Sequence, residues 1–109
     1  MGSYRVLKKT KEFSYVYNNG KKWHFEGAVI FYTPGSEKQV GFTASKKVGN
    51  AVKRNRARRR LKALFLELQK DLSVGSYVFV AKDKIHSLDY ESLKNGLLWS
   101  FERLKCLEK

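Results

Sequence analysis

Apolar residues recur with two different periods along the N-terminal half of the chain. In residues 10–18 they fall three and four positions apart, which predicts a short helix with its first residue as N-cap and Gly20 as its stop. Residues 28–33 and 39–45 are instead β-branched and aromatic, which is typical of strands. Because Pro34-Gly35 supplies a turn between these segments, the sequence predicts that they form a hairpin.

The C-terminal half contains the most regular pattern. Asn50 is a good N-cap, and the apolar residues after it form one helical seam. Residues 76–82 have the composition of a buried strand, and a last helix is predicted from about Asp89. With a further short strand in residues 23–27, the predicted order is α-β-β-β-α-β-α. The seam of the long helix consists of Ala57, Leu61, Leu64, Phe65, Leu68 and Leu72, and the apolar face of the last helix of Leu93, Leu97, Phe101 and Leu104.

Size and composition indicate one packed domain, residues 1–109. A chain of 109 residues cannot form two units with sizeable cores, and its hydrophobic fraction of 42% is ordinary for a globular protein. The longest apolar runs are far shorter than the ~20 residues of a membrane span, and no apolar stretch follows the basic N-terminus as in a secretory signal. A single cysteine, Cys106, cannot form an internal disulfide. We therefore expect a cytoplasmic protein that does not associate with a membrane.

The net charge of +13 lies entirely in residues 1–66, because residues 67–109 carry equal numbers of basic and acidic side chains. A one-sided positive field raises the local concentration of a polyanion and steers its approach. Nucleic acid is therefore favoured as the partner over an anionic membrane surface.

The charge is densest at residues 53–62, KRNRARRRLK, in the first half of the predicted long helix. Positive charge there opposes the helix macrodipole, and the like-charge pairs three and four residues apart together cost roughly 1–3 kcal/mol. A solvated face would normally interleave acidic residues, but none occurs between Glu37 and Glu67. Five of the seven basic residues are arginines, whose planar guanidinium bridges phosphate oxygens or stacks on bases. The run therefore predicts binding to structured RNA.

Three aromatic residues form a second candidate site. Phe13 and Tyr17 share a face of the first helix, and Tyr32 lies on the next predicted strand, on the side opposite Val29 and Phe31. Aromatic rings stack unpaired bases without reading sequence, which is worth ~1–3 kcal/mol per base. Aromatic residues at helical spacing are more often part of a core, so the pattern alone leaves both interpretations open.

The sequence predicts no catalytic residue and no protein metal site. Neither His24 nor His86 lies near a second metal ligand, and no pair of carboxylates has the spacing that would hold two metal ions. Cys106 in the last helix is more typical of a core residue than of a reactive thiol. A self-sufficient nuclease is therefore not expected.

Residues 40–62, VGFTASKKVGNAVKRNRARRRLK, resemble the signature of the bacterial ribonuclease P protein family, with Arg54-Asn55-Arg56 as its RNR motif. A strand, a connection at residues 45–49 and a basic helix occur here in one fixed register. Residues 5–17 and 76–81 also match, so the resemblance covers almost the whole chain. It implies an α+β two-layer sandwich with a left-handed β-α-β crossover, similar to the second domain of a small-subunit ribosomal protein.

The resemblance also implies a function. A member of this family joins a large catalytic RNA and helps it cut the 5′ leader from precursor tRNA. The RNA performs the chemistry with Mg²⁺ that it largely holds itself, and no obligatory protein partner is expected. By resemblance, the catalytic RNA is bound by Arg54, Asn55, Arg56, Arg58, Arg59 and Lys62, and the leader, in a cleft between the first helix and the sheet, by Phe13, Tyr17, Tyr32 and Lys46.

Three other functions remain open from the residues themselves. A basic ribosomal or other structural RNA-binding protein would share the charge and the helix. A free-standing nuclease would cleave RNA without a partner, although no pair of acids suggests its active site. A DNA-binding protein is the weakest alternative, because a helix that reads bases usually carries more polar side chains among fewer charges.

Overall fold

The structure, a computed structural model, describes residues 4–108 as eight regular elements and three short 3₁₀ turns. The predicted order is confirmed, with one additional short strand before the first helix. The elements are β1 (Arg5–Val6), α1 (Thr10–Asn19), β2 (Lys21–His24), β3 (Ala28–Pro34), β4 (Gln39–Ala44), α2 (Ala51–Leu68), β5 (Gly75–Ala81) and α3 (Tyr90–Leu104), and the 3₁₀ turns are Lys46–Val48, Gln69–Asp71 and Asp83–Ser87.

All five strands form one mixed sheet in the order β1-β4-β5-β3-β2. The predicted hairpin of β3 and β4 is wrong, because β5 lies between them, antiparallel to β3 and parallel to β4. The physical reason is that β5 is apolar on both sides, and a strand buried on both faces is stable only in the interior of a sheet. Tyr77 of β5 consequently pairs with Tyr32 on one side and with Val40 on the other.

Strands β4 and β5 are parallel neighbours joined through α2, which forms the β-α-β crossover that the family resemblance implies. Together with α2 and α3, the sheet makes the predicted α+β sandwich. The left-handed sense of the crossover and the likeness to a ribosomal protein domain stay predictions of the resemblance.

The helix ends depend on side chains that satisfy free backbone groups. The predicted cap Asn50 is confirmed, because its carboxamide oxygen accepts a hydrogen bond from the N–H group of Lys53 at 3.0 Å. Asp89, where the last helix was predicted to begin, is the N-cap of α3, and its carboxylate accepts a hydrogen bond from the N–H group of Ser92 at 2.8 Å. The predicted cap of α1 is one residue late, since Lys9 is the N-cap and Thr10 is the first helical residue. The predicted stop of α1 at Gly20 is confirmed.

The sheet has a different hydrophobic core on each face. The larger core lies under α2 and α3 and contains all ten residues of the two predicted apolar faces. The smaller core lies under α1 and centres on Leu7, Val16 and Val78. The two faces of the sheet therefore present separate surfaces, a basic one on α2 and an aromatic one beside α1.

None of the helices between Tyr4 and Glu108 combines the length and the apolar character that crossing a membrane requires.

Candidate nucleic-acid interface

Six residues predicted to contact RNA lie along the solvent side of α2, and we call them the basic surface. Ala57 and Leu61 are fully buried against the sheet, as the predicted seam requires, so the basic residues occupy the rest of the helix circumference. No acidic residue lies in the first turn of α2. The basic surface comprises Arg54 and Arg58, which are half-buried, and Asn55, Arg56, Arg59 and Lys62, which are exposed.

The connection that precedes α2 determines where the basic helix begins. Ser45 Oγ accepts a hydrogen bond from the Lys47 N–H at 3.2 Å, and Asn50 caps the helix itself. Gly49 lies between them with a φ of 136°, a conformation that disfavours any side chain, and a Cβ there would lie 2.8 Å from Lys53 Cδ. These residues of the recognised motif therefore have a local structural role.

A groove of about 310 Å³ runs along the basic surface and contains one aromatic ring. It is lined by Asn55, Arg58, Arg59, Lys62 and, from β4, Phe42. Arg58 donates a hydrogen bond to the side-chain oxygen of Asn55, which holds the guanidinium beside the amide. Phe42 is a candidate that our sequence reasoning missed. The alternation of β4 could have indicated it, because Phe42 is on the side of the strand that faces α2.

Arg60 is the exception within the basic run. Its guanidinium donates to the backbone oxygens of Ile85 at 2.6 Å and Leu88 at 2.7 Å, which joins α2 to the segment before α3. In the same segment, the His86 ring nitrogen Nε2 lies 3.0 Å from the Lys53 oxygen. The structure therefore assigns Arg60 a structural role.

The opposite face of the sheet carries three partly exposed rings, Phe13, Tyr17 and Phe31, which we call the aromatic surface. The centroid of Tyr17 lies 4.8 Å from that of Phe31 and 6.4 Å from that of Phe13. A Cβ on Gly41 would lie 2.5 Å from Phe13 Cε1, so this glycine lets the ring approach β4 closely. Burial raises the pKa of Tyr17 above its ordinary value of 10.0, so the phenol has no tendency to ionise at physiological pH. The aromatic surface therefore offers uncharged rings for stacking.

Tyr32 does not belong to the aromatic surface, which corrects its predicted grouping with Phe13 and Tyr17. The predicted alternation is right, because Tyr32 points away from Phe31, but its side of β3 faces the large core. Tyr32 is only 6% exposed, and its ring centroid lies 4.9 Å from that of Tyr77. Because a sheet separates the two faces, Phe31 occupies the place that the prediction gave to Tyr32.

Lys46 lies between the two surfaces along the chain. It is exposed at the start of the 3₁₀ turn that joins β4, the strand beneath Phe13, to α2. The ammonium group of Lys46 therefore lies outside the large core, where it can contact a phosphate.

The rest of the described chain offers little catalytic chemistry. Between Tyr4 and Glu108 there is no cluster of three or more His, Cys, Asp or Glu side chains placed to hold a metal ion. Cys106 is a buried core residue, as predicted, but it lies two residues beyond the end of α3 rather than within that helix. Burial raises the pKa of its thiol to about 11. The thiol is therefore protonated at neutral pH and is a poor nucleophile.

A basic helix combined with partly exposed aromatic rings is typical of proteins that bind nucleic acid. Comparison with known proteins specifies the family. The sequence matches the family model Ribonuclease P over residues 1–105. It is 45% identical over 105 residues to the ribonuclease P protein component of a Nitratiruptor species, with 96% of each chain covered. The chain therefore belongs to the ribonuclease P protein family.

Other relatives and solved structures agree with this assignment. The ribonuclease P protein component of Caldanaerobacter subterraneus subsp. tengcongensis is 40% identical over 94 residues, covering 84% of this chain and 81% of that one. The RNase P protein of Staphylococcus aureus superposes with a TM-score of 0.82 at 22% identity, over 94% of this chain and 97% of that one. That of Thermotoga maritima gives 0.77 at 20% identity, over 96% and 99%. These two likenesses establish the shared fold.

Proposed function

We propose that this protein is the protein subunit of ribonuclease P, which binds the catalytic RNA and the 5′ leader of precursor tRNA and assists removal of the leader. The observation that carries the proposal is a basic helix surface that the fold does not need, in a chain of the ribonuclease P family. An endoribonuclease subunit of this kind acts in the cytoplasm, in agreement with a composition that includes a single cysteine.

The basic surface is suited to the catalytic RNA. Its arginines carry an electrostatic cost within α2 that no acidic residue of the first turn offsets, and a polyanionic partner would remove that cost. Arg58, held beside Asn55 at the edge of a groove, presents a guanidinium that can bridge phosphate oxygens. Phe42 in the same groove would allow contact with an unstacked base.

The aromatic surface is suited to the single-stranded leader. Rings that stack on bases without contacting their edges accept leaders of varied sequence, as a general tRNA-processing enzyme requires. We assign this role to Phe13, Tyr17 and Phe31, and we assign Lys46 to the backbone phosphates of the leader. Tyr32 supports this surface only indirectly, through the core beneath the sheet.

Hydrolysis would be carried out by the RNA with Mg²⁺ held mainly by its phosphates. Phosphodiester hydrolysis with metal ions requires several oxygen ligands around each ion, and the described residues offer no such cluster. The residues of this chain would then bind and orient the two RNAs and reduce the repulsion between them.

Reconstitution tests the proposal. Cleavage of precursor tRNA by a bacterial catalytic RNA at low Mg²⁺ is measured with the protein, without it, and with the protein alone. We expect stimulation in the presence of both and no cleavage by the protein alone. Cleavage by the protein alone would instead identify a nuclease, and no effect in either reaction would favour a structural RNA-binding protein.

Two variants test the assignment of the two surfaces. Arg58→Ala is expected to weaken binding of the catalytic RNA and to lower the salt dependence of the binding constant by about one unit of slope. Phe13→Ala is expected to reduce the preference for precursor over mature tRNA and to leave the salt slope unchanged. Lys70→Ala, an exposed charge beyond the end of α2, is the matched control for both. Equal effects of Arg58→Ala and Phe13→Ala on the two binding steps would refute the assignment.

A further inference from the structure

A slot separate from the groove at Phe42 lies at the junction of α2 and α3, on the other side of the basic surface. Its volume is about 280 Å³, close to the lower end of the range in which small ligands bind, ~300 Å³. Fully buried Leu93 and neighbouring Ala63 give it an apolar side. The slot is lined by Arg56, Arg59, Arg60, Ala63, Tyr90 and Leu93.

Tyr90 is an exposed ring held in a defined position. It is the first residue of α3 and is 47% exposed, although a tyrosine that merely packed the helix junction would be buried. Its hydroxyl donates a hydrogen bond to Glu67, which also forms an ion pair with Lys94 at 2.5 Å. The ring is therefore fixed at the slot, and the carboxylate beside it is balanced by an ammonium group.

The charges around the slot favour an anionic ligand with an aromatic part. Arg60 is fixed by the backbone oxygens of Ile85 and Leu88, whereas Arg56 and Arg59 are exposed at the rim. A ring beside apolar side chains binds the face of a base, and two guanidinium groups at the rim bind its phosphates. A nucleotide has both parts.

We propose that this slot binds one unpaired nucleotide of the catalytic RNA, with its base stacked on Tyr90 and its phosphate on Arg56 and Arg59. The inference rests on the proposed function and extends it, because it adds a residue of α3 to the RNA interface. The interface then continues around α2 from the groove at Phe42 to the start of α3.

Binding of the isolated catalytic RNA, without tRNA, tests the inference over a series of salt concentrations. Tyr90→Leu keeps the apolar bulk but removes the aromatic face, and we expect it to weaken binding about tenfold. The salt slope should not change, because no charge is lost. Tyr90→Phe keeps the ring and is expected to bind within about twofold of the wild type. Trp99→Leu removes a ring of similar exposure, 46%, elsewhere on α3 and is the matched control.

The outcomes separate this inference from the proposed function. If the wild-type protein does not bind the catalytic RNA, both fail. If the wild type binds and Tyr90→Leu binds equally well, only the inference fails. An equal loss with Tyr90→Phe would show that the hydroxyl matters and would overturn stacking, and an equal loss with Trp99→Leu would overturn the specific role of Tyr90. Circular dichroism and the thermal midpoint of each variant check that the helices remain folded.

Discussion

The basic surface on α2 and the aromatic surface beside α1 differ in how they relate to the fold. The residues of the basic surface point away from the core, and their mutual repulsion makes α2 less stable. Phe13 and Phe31 of the aromatic surface belong to the smaller core and stabilise the packing of α1. One surface is therefore costly to the fold, and the other is part of it.

This difference decides how mutations on the two surfaces should be interpreted. We expect a change on the basic surface to affect RNA binding without loss of stability, so affinity alone would report its role. We expect a change on the aromatic surface to affect both stability and RNA binding, so the two quantities must be measured separately. The helix starts show the same contrast, because α1 carries Glu12 in its first turn and α2 carries no acid there.

The largest effect is expected where Tyr32, which packs in the large core on one side of the sheet, is compared with Tyr17 of α1 on the other side. Tyr32→Ala removes a buried ring and is expected to reduce the free energy of unfolding by about 3–5 kcal/mol, while the folded protein retains its preference for precursor tRNA. Tyr17→Ala removes a ring that is 38% exposed and is expected to cost about 1 kcal/mol of stability but to weaken leader binding. Urea unfolding and binding of precursor and mature tRNA measure both quantities. A loss of leader preference in folded Tyr32→Ala would return Tyr32 to the binding surface.

The next effect distinguishes structural from binding arginines within α2. Arg60→Met keeps the apolar stem but leaves two backbone oxygens without their charged donor, and we expect a loss of about 2 kcal/mol in the free energy of unfolding. Arg59→Met, at an exposed position one residue earlier, is expected to change stability by less than about 0.5 kcal/mol. For catalytic RNA binding we expect the reverse: Arg59→Met lowers the salt slope and Arg60→Met does not. Equal stabilities of the two variants would contradict the structural role of Arg60.

A smaller effect tests the contact beneath the aromatic surface. Gly41→Ala places a Cβ against the ring of Phe13, and we expect a loss of about 1 kcal/mol as the ring is displaced, with weaker leader binding. Phe13→Leu in the same chain makes room for the new methyl group, so the double variant should be more stable than the sum of the single changes predicts. Additive losses would show that Gly41 and Phe13 do not act through this contact.

Local patterns predicted the helices well and the strand pairing poorly. All residues of the two predicted apolar faces are buried, because a helix is determined by contacts within one segment. Leu72, predicted to end the seam of the long helix, is buried but lies beyond the end of α2 at Leu68. The predicted pairing of β3 with β4 was wrong because the strand order depends on β5, which lies more than thirty residues later in the chain. The two-residue strand β1 was missed because only its pairing with β4 defines it.

The candidate site follows the same division. The basic surface could be predicted because one helix carries all of it. The side of the sheet on which Tyr32 lies could be assigned only when the strand that pairs with β3 was known. The roles of Phe42 and Tyr90 could be seen only from the packing of α2 against β4 and α3. The charge pattern could not reveal that the Arg60 guanidinium is hydrogen-bonded within the protein, since its acceptors are backbone oxygens of a distant segment.

The smallest expected effect concerns Glu12, which fixes the start of α1 and so the position of Phe13. Its carboxylate accepts hydrogen bonds from the N–H groups of Lys9 and Lys8, both at 3.1 Å, and pairs with Arg5 at 2.8 Å. These contacts lower the pKa of Glu12 to about 2 from an ordinary value of 4.5. Because the folded pKa is the lower one, the stabilisation is fully present above pH 4.5 and is lost as the pH falls towards 2.

Urea unfolding of the wild type and of Glu12→Gln at a series of pH values measures this contribution. We expect the wild type to be more stable at neutral pH and the difference to shrink steadily below pH 4.5, because only the ionised carboxylate makes the charged contacts. Glu26→Gln, at an exposed position between β2 and β3, is the matched control and should follow the wild type throughout. If the stability difference of Glu12→Gln stayed constant down to low pH, the carboxylate charge would not be what holds the start of α1. The order at the aromatic surface would then depend on the packing of Phe13 and Val16 alone, which would strengthen the contrast with α2, where we expect charge to determine RNA binding and packing to determine the fold.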